Sequence, residues 1–164
     1  MAIKDLMLAE FDHEMAVTRK VLERVPEERF GWAPHQKSMT LGRLAGHIAE
    51  IPGYVKETLA ADSLDIGGEY KPDVFTTRAQ VLERFDSLIA AARPLIDGAT
   101  DAQLVSIWTL KSKGQPLFSA PKAVVLRNFV FSHLIHHRGQ ITVYLRLTGV
   151  PVPAIYGPSA DEAN

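Results

Sequence analysis

The stretch FSHLIHHRGQ, residues 131–140, lies in the clearest helical pattern of the chain and holds three of its six histidines. His133 and His137 are four positions apart, so on a helix they project from the same face, one turn apart. That face continues an apolar stripe with Leu126 and Val130, which points both imidazoles into a packed core. Because a buried imidazole needs a hydrogen-bond partner or a metal ion, the pair predicts a metal site.

The helix that carries this pair is expected to be long and continuous. Ser119 or Ala120 is a suitable N-cap, and Pro121 fits an early helical position. The pattern continues to Thr148, and Gly149 is a suitable residue to end the helix. The prolines that follow prevent any continuation.

Apolar residues at helical spacing predict two more helices in the N-terminal half. The first runs from about residue 3 to residue 25. The second begins at Thr40, a suitable N-cap, and a kink is expected where Pro52 and Gly53 interrupt its pattern. Residues 60–75 contain two adjacent glycines and a proline, so we expect a loop there.

A further helix is expected to begin at Thr76 or Thr77, with an inward apolar stripe that ends at Leu95. The segment 100–120 contains β-type residues on both sides of a Lys-Gly-Gln-Pro turn, which favours a short hairpin or an irregular lid. The four helical patterns include no repeat. We therefore expect an all-α fold, with one four-helix-bundle domain over residues 1–164.

The composition narrows the class of protein. Of the 164 residues, 46% are apolar and 23% are charged, as in a globular domain. The net charge is −1 and basic residues are scattered, which argues against nucleic-acid binding. The absence of cysteine excludes thiolate zinc sites and a cysteine nucleophile. Without a signal-peptide pattern or a long apolar run, we expect a cytoplasmic protein that does not bind membranes.

A third metal ligand is expected from the second helix. His47 follows Leu44 by three positions on its apolar side, so its imidazole should face the pair on the C-terminal helix. His136 is an alternative to His137, but its neighbour Arg138 is expected to approach solvent, so we favour His137. The remaining histidines are expected at the surface or in loops: His13 and His35.

Three segments resemble the DinB/YfiT superfamily of proposed metalloenzymes. They are HLIHHRGQ at 133–140, SMTLGRLAGHIAE at 38–50 and GVPVPAIYGPSADE at 149–162. The resemblance implies an up-down-down-up four-helix bundle with a triad at His47, His133 and His137. It also implies one divalent ion, with zinc or nickel favoured and iron as a further candidate, and a homodimer. Met39 stands where the superfamily often has tryptophan, a conservative apolar change.

Three histidines leave coordination positions open, as in catalytic metal sites. Together with the resemblance, this favours a metal-dependent hydrolase or a thiol-dependent S-transferase, with a small-molecule substrate and a low-molecular-weight thiol as a candidate partner. The alternative is a metal-binding or sensing module without turnover. Glu50 is a candidate base, or else a surface acid, and Gln140 is a candidate ligand-orienting group, or else a packing amide.

Overall fold

The computed structural model describes residues 2–69 and 71–163. Seven α-helices lie within these ranges: α1 (Ile3–Leu22), α2 (Leu41–Glu50), α3 (Tyr54–Leu59), α4 (Arg78–Asp97), α5 (Asp101–Val105), α6 (Lys122–Leu126) and α7 (His133–Leu147). Shorter helical turns occupy Glu27–Arg29 and Ile51–Gly53, both 3₁₀, and a π-helical segment occupies Arg127–Ser132. The fold is therefore mostly helical.

Four helices enclose the main core. Helices α1 and α2 each pack against both α4 and α7, so the four surround one apolar interior. The predicted stripe of α1 is buried there, with Phe11 and Leu22 completely inaccessible to solvent. No helix in the described ranges is both long enough and apolar enough to span a membrane.

A three-stranded sheet corrects the all-α expectation. Its strands are β1 (Ser63–Asp65), β2 (Ile107–Ser112) and β3 (Gln115–Pro121). Strands β2 and β3 form the predicted hairpin, which turns at Lys113 and Gly114 with positive φ angles of 49° and 77°. Strand β1 adds in parallel to β2, inside the segment that we expected to be a loop. Its three residues are too few to show a pattern in the sequence; pairing with β2 makes them a strand.

Most of the predicted helix boundaries agree with the structure. Thr40 and Thr77 cap α2 and α4, each accepting a hydrogen bond from the third backbone amide beyond it. Gly149 follows α7 with a φ of 76°, as expected for a C-terminal glycine. The helix α1 ends at Leu22, three residues earlier than predicted.

The C-terminal helix differs from its prediction at its start. Ser119 and Ala120 belong to β3, opposite Thr109 and Trp108, so neither caps the helix, which begins at Lys122. The first backbone amide of the helix, that of Lys122, instead donates to the carbonyl oxygen of Ser106, just before β2, at 2.9 Å.

The same helix is also not α-helical throughout, because a π-helical segment, Arg127–Ser132, separates α6 from α7. Its wider turn allows neighbouring bulky residues to face different cores. Phe129 packs beside Trp108 under the sheet, while Val130 and Phe131 pack in the main core.

One expected core residue lies outside. Leu95 of α4 is 36% exposed, whereas its neighbour Ile96 is completely buried. Ile96 lies four positions after the buried Ala92 and takes the inward position at the end of the helix. Leu95 is therefore one position out of phase with the stripe that we assigned to it.

Candidate metal centre

His47, His133 and His137 converge in the structure. His47 extends from α2, His133 is the first residue of α7, and His137 lies one turn later. The Nε2 atoms of His47 and His133 are 3.0 Å apart. One ring nitrogen from each residue lies within 4.8 Å of the other two, and no other metal-binding group of three or more side chains occurs in the described ranges. We call these residues the histidine triad.

The spacing of the triad fits a metal ion. Nitrogen ligands about 2.0–2.1 Å from a tetrahedral zinc ion lie about 3.3 Å from one another. The His47 and His133 nitrogens, 3.0 Å apart, are close to that distance, and any pair of triad nitrogens separated by up to 4.8 Å would move closer on binding an ion. The histidine triad could therefore hold a metal ion.

The electrostatic setting keeps the triad in the form that binds metals. Burial lowers the pKa of His47 to about 4, and the imidazoles of His133 and His137 and the guanidinium of Arg43 add to the effect. Burial also lowers the pKa of His133 and of His137. A lowered pKa favours the neutral ring, and a neutral imidazole has the lone pair that a metal needs.

Neighbouring groups orient two of the rings. Nδ1 of His137 donates to the side-chain oxygen of Gln140 at 2.7 Å. Nδ1 of His133 faces the carbonyl oxygen of Phe129 at 3.4 Å. A hydrogen bond at Nδ1 leaves Nε2 as the ligand atom and increases its basicity. The structure therefore places Gln140 behind the His137 ring, which it orients.

Glu50, the other predicted catalytic residue, ends α2 and does not belong to the triad. Its carboxylate lies 3.4 Å from the guanidinium of Arg43 and accepts a hydrogen bond from the backbone amide of Asp73 at 3.1 Å. These contacts connect α2 to the segment before α4. A catalytic role for Glu50 stays a proposal.

Arg138 corrects the argument that we used to choose between His136 and His137. Arg138 is 1% exposed, not at the solvent edge, and its guanidinium lies 2.7 Å from the carboxylate of Glu14. His136 is the exposed residue and remains outside the triad. His137 is the residue that converges with His47 and His133, and the reason given for preferring it was wrong. His13 and His35 are exposed, as expected.

Sequence reasoning missed two residues beside the triad. The ring of Tyr54 lies 6.3 Å from that of His133, and burial raises the pKa of its hydroxyl group. The guanidinium of Arg43 is close enough to lower the pKa of His47 and of His137. Arg43 is one helical turn before His47, so the spacing that identified the histidine pair could also have identified it.

The triad is accessible from outside. His47 lines an open cleft of about 540 Å³, together with Tyr54 and residues of β1 and the turn after it. The cleft provides space for a small molecule next to the ring nitrogens. The cleft therefore gives a small molecule access to His47, one member of the triad.

Comparison with known proteins agrees with this architecture. The DinB family model matches residues 1–164. An uncharacterised Bacillus subtilis (strain 168) protein, YrdA, is 28% identical over 165 residues, which cover 96% of this chain and 90% of that protein.

Two solved structures have the same fold. A DinB-like protein from Bacillus cereus ATCC 10987 superposes with a TM-score of 0.71 at 25% identity, over 91% of this chain and 95% of that one. A DinB-like protein from Bacillus subtilis, YjoA, has a TM-score of 0.67 at 17% identity, over 90% of this chain and 96% of that one. Because the family model spans the whole sequence, the chain belongs to the DinB family.

Proposed function

We propose that this protein is a metal-dependent enzyme that acts on a small molecule, with His47, His133 and His137 holding one divalent ion. The convergence of three neutral imidazoles beside an open cleft carries the proposal. A structural site uses four protein ligands, whereas a catalytic site uses three and leaves a position for substrate. The ligand type suits zinc and nickel, with iron as the further candidate.

Each surrounding residue has a role in this proposal. A divalent ion in the triad would supply Lewis acidity to a substrate thiol or carbonyl. Gln140 holds the His137 ring in the tautomer that exposes Nε2. Tyr54 keeps its hydroxyl proton, because burial raises its pKa, and can donate a hydrogen bond to a substrate in the cleft.

Thiol-dependent S-transfer is the reaction that we favour over hydrolysis. Hydrolysis commonly uses a carboxylate base close to the metal, as in zinc proteases. Here the triad contains no carboxylate, and that of Glu50 contacts Arg43 and the backbone of Asp73. Two other carboxylates line the cleft: that of Asp65 accepts three backbone amide hydrogen bonds, and that of Glu69 lies 3.5 Å from the ammonium group of Lys71. A thiol needs less assistance, because its pKa is far below that of water.

The wider expectations belong to the same proposal. We propose a cytoplasmic homodimer with one domain and up-down-down-up helices, acting on a small molecule with a low-molecular-weight thiol as partner, without nucleic acid or membrane. The alternative is a metal-binding or sensing module without turnover. The open cleft next to the triad favours the enzyme over this alternative.

An activity assay with two arms tests the proposal. Zinc-loaded protein is mixed with cysteine and 1-chloro-2,4-dinitrobenzene. In this reaction the thiol loses its proton, sulfur bonds to the ring carbon and chloride leaves. In parallel, p-nitrophenyl acetate is supplied without a thiol. We expect faster arylation of the thiol with the parent protein and with His136→Ala, and only the uncatalysed rate with His133→Ala/His137→Ala. Ester hydrolysis alone would favour the hydrolase. Inactivity of the metal-loaded protein in both arms would favour the sensing module.

A further inference from the structure

A second cavity adjoins the triad at His133. It has a volume of about 210 Å³, and His133 forms part of its wall. The other wall residues are almost all apolar or aromatic, and they include Tyr54, Leu64, Trp108, Leu110 and Phe129. Tyr54 and Leu64 also line the open cleft at His47, so the two spaces meet beside the triad. We call this space the aromatic cavity.

A chain of aromatic contacts leads from the cavity to the triad. The rings of Trp108 and Phe129 are 6.0 Å apart and nearly perpendicular. The ring of Phe129 lies 6.4 Å from that of Tyr54, which in turn lies 6.3 Å from that of His133. Aromatic pairs favour edge-to-face and offset arrangements at these distances. An aromatic ring in the cavity would find partners of the same kind on several sides.

The walls of the cavity are held in place by hydrogen bonds. The indole nitrogen of Trp108 donates to the carbonyl oxygen of Glu57 at 3.1 Å. The carboxylate of Asp65 accepts from the backbone amides of Gly67, Lys113 and Gly114, at 2.8, 2.9 and 2.7 Å. These bonds tie the turn after β1 to the tip of the hairpin. One wall residue, Trp108, and the turn that follows Leu64 are therefore each fixed by hydrogen bonds to the backbone or from it.

The volume and the lining define what the cavity can accept. Protein interiors contain few apolar spaces of this size, and a cavity of about 150 Å³ is large enough for benzene. The aromatic cavity, at about 210 Å³, can take a benzene ring with a short substituent. A charged or strongly polar group would lose its hydration there without finding partners.

We propose that the substrate carries an aromatic ring, which occupies the aromatic cavity while the reacting group of the same molecule reaches the histidine triad. This inference rests on the proposed function, because the reacting group is expected to bind an ion in the triad. Trp108, Leu110 and Phe129 contact the ring and hold it in the cavity. These residues select the substrate and take no part in the chemistry.

The test compares two thiols as probes of cobalt-loaded protein, where sulfur binding to Co²⁺ produces a charge-transfer band in the near ultraviolet. Benzyl mercaptan carries the ring, and 2-mercaptoethanol does not. We expect benzyl mercaptan to bind the parent protein tighter by about tenfold or more, the size of effect that an apolar pocket produces.

Two variants that fill the cavity are compared with one that does not. Leu110→Trp fills the cavity and is expected to bring the ratio of the two thiol affinities close to one. Leu64→Trp, on the neighbouring strand β1, should have the same effect. Leu117→Trp is the matched control, because Leu117 is exposed on β3 and does not line the cavity, and it should keep the parent's ratio. The cobalt spectrum of each variant shows that it folds and loads metal.

Two results would overturn the inference. One is equal affinity of the parent protein for the two thiols. The other is an unchanged preference in Leu110→Trp and Leu64→Trp proteins that load cobalt normally.

A parent protein that takes up no cobalt would contradict the proposed function rather than this inference. In that case, toluene is added to the metal-free protein and the indole N–H signals are followed by nuclear magnetic resonance. A shift of the Trp108 signal without a shift of the Trp32 signal would show that the cavity still binds an aromatic ring. The absence of a shift would reject the aromatic site.

Discussion

The guanidinium of Arg138 lies 2.7 Å from the carboxylate of Glu14, and the two side chains are 2% and 6% exposed. Arg138 also donates to the hydroxyl group of Thr18, at 3.1 Å, and to that of Tyr156. The hydroxyl group of Tyr156 in turn donates to Glu14 at 2.8 Å. This buried network joins α7 to α1 and to the C-terminal segment, directly behind the helical turn that carries His137.

Replacing one partner of this pair should destabilise the protein strongly. Glu14→Gln leaves the charge of Arg138 buried without its counter-ion, and breaking a buried pair in this way costs about 3–5 kcal/mol. Urea unfolding followed by circular dichroism measures the change in the free energy of unfolding. In the double variant Glu14→Leu/Arg138→Met both charges are absent, so most of the loss should be recovered. A Glu14→Gln protein as stable as the parent would contradict the assignment.

Gln140 should affect metal affinity without affecting stability. Its side-chain oxygen accepts from Nδ1 of His137, and loss of such an outer hydrogen bond typically weakens metal binding by about 10–100-fold. Gln140→Ala should therefore bind Zn²⁺ more weakly in competition with a chromophoric chelator. Gln140→Glu keeps an acceptor and should retain affinity. Similar zinc affinities of the parent and Gln140→Ala would show that this hydrogen bond does not assist binding.

The metal-free protein should lose stability as the pH falls from about 6.5 to about 4. Burial lowers the pKa of His47 from 6.5 to about 4 in the folded protein, while an unfolded chain takes up the proton near 6.5. In this interval the unfolded state binds more protons, so acid favours unfolding. Urea midpoints measured between pH 7 and pH 4 test the slope.

The variant His47→Asn is the control for that experiment. It removes one half-buried imidazole and should make the pH dependence shallower, while His133 and His137 still contribute. The matched variant His136→Asn changes an exposed histidine outside the triad and should alter the slope less than His47→Asn does. Parallel curves for His47→Asn and the parent would show that His47 titrates normally in the folded protein.

Asp65 should control the order of the hairpin tip. Its carboxylate accepts three backbone amide hydrogen bonds, which lower the pKa of Asp65. The hydrogen bond from Gly67 has the largest effect. Asp65→Ala removes all three, so the amides of Lys113 and Gly114 should exchange with deuterium faster, while those of α1 exchange as before. Amide exchange followed by nuclear magnetic resonance gives the readout. Unchanged amide protection at both positions would show that the hairpin turn keeps its tip ordered without Asp65.

The sequence predicts the helical part of this fold well, because helix signals are local. Thr40 and Thr77 lie at the caps that their neighbours indicated, and the i, i+4 spacing of His133 and His137 places both rings on one face. The third triad member, His47, had support only from its place on a helical stripe and from the family resemblance.

The features that sequence analysis missed depend on contacts between distant residues. Arg138 is buried because Glu14, 124 positions away, supplies its counter-charge. Strand β1 exists because β2 pairs with it. The π-helical turn places Phe129 beneath the sheet. A search for apolar residues at a 3.6-residue period assumes a regular α-helix, so it does not predict such a turn.

Metal content is the measurement that tests the central claim most directly. The parent protein, purified without a nickel column, and its His133→Ala/His137→Ala and His136→Ala variants are dialysed against zinc and analysed for bound metal. The account predicts about one ion per chain in the parent and in His136→Ala, and almost none in the double variant. A parent protein without stoichiometric metal, or a double variant that retains it, would contradict the assignment of the histidine triad.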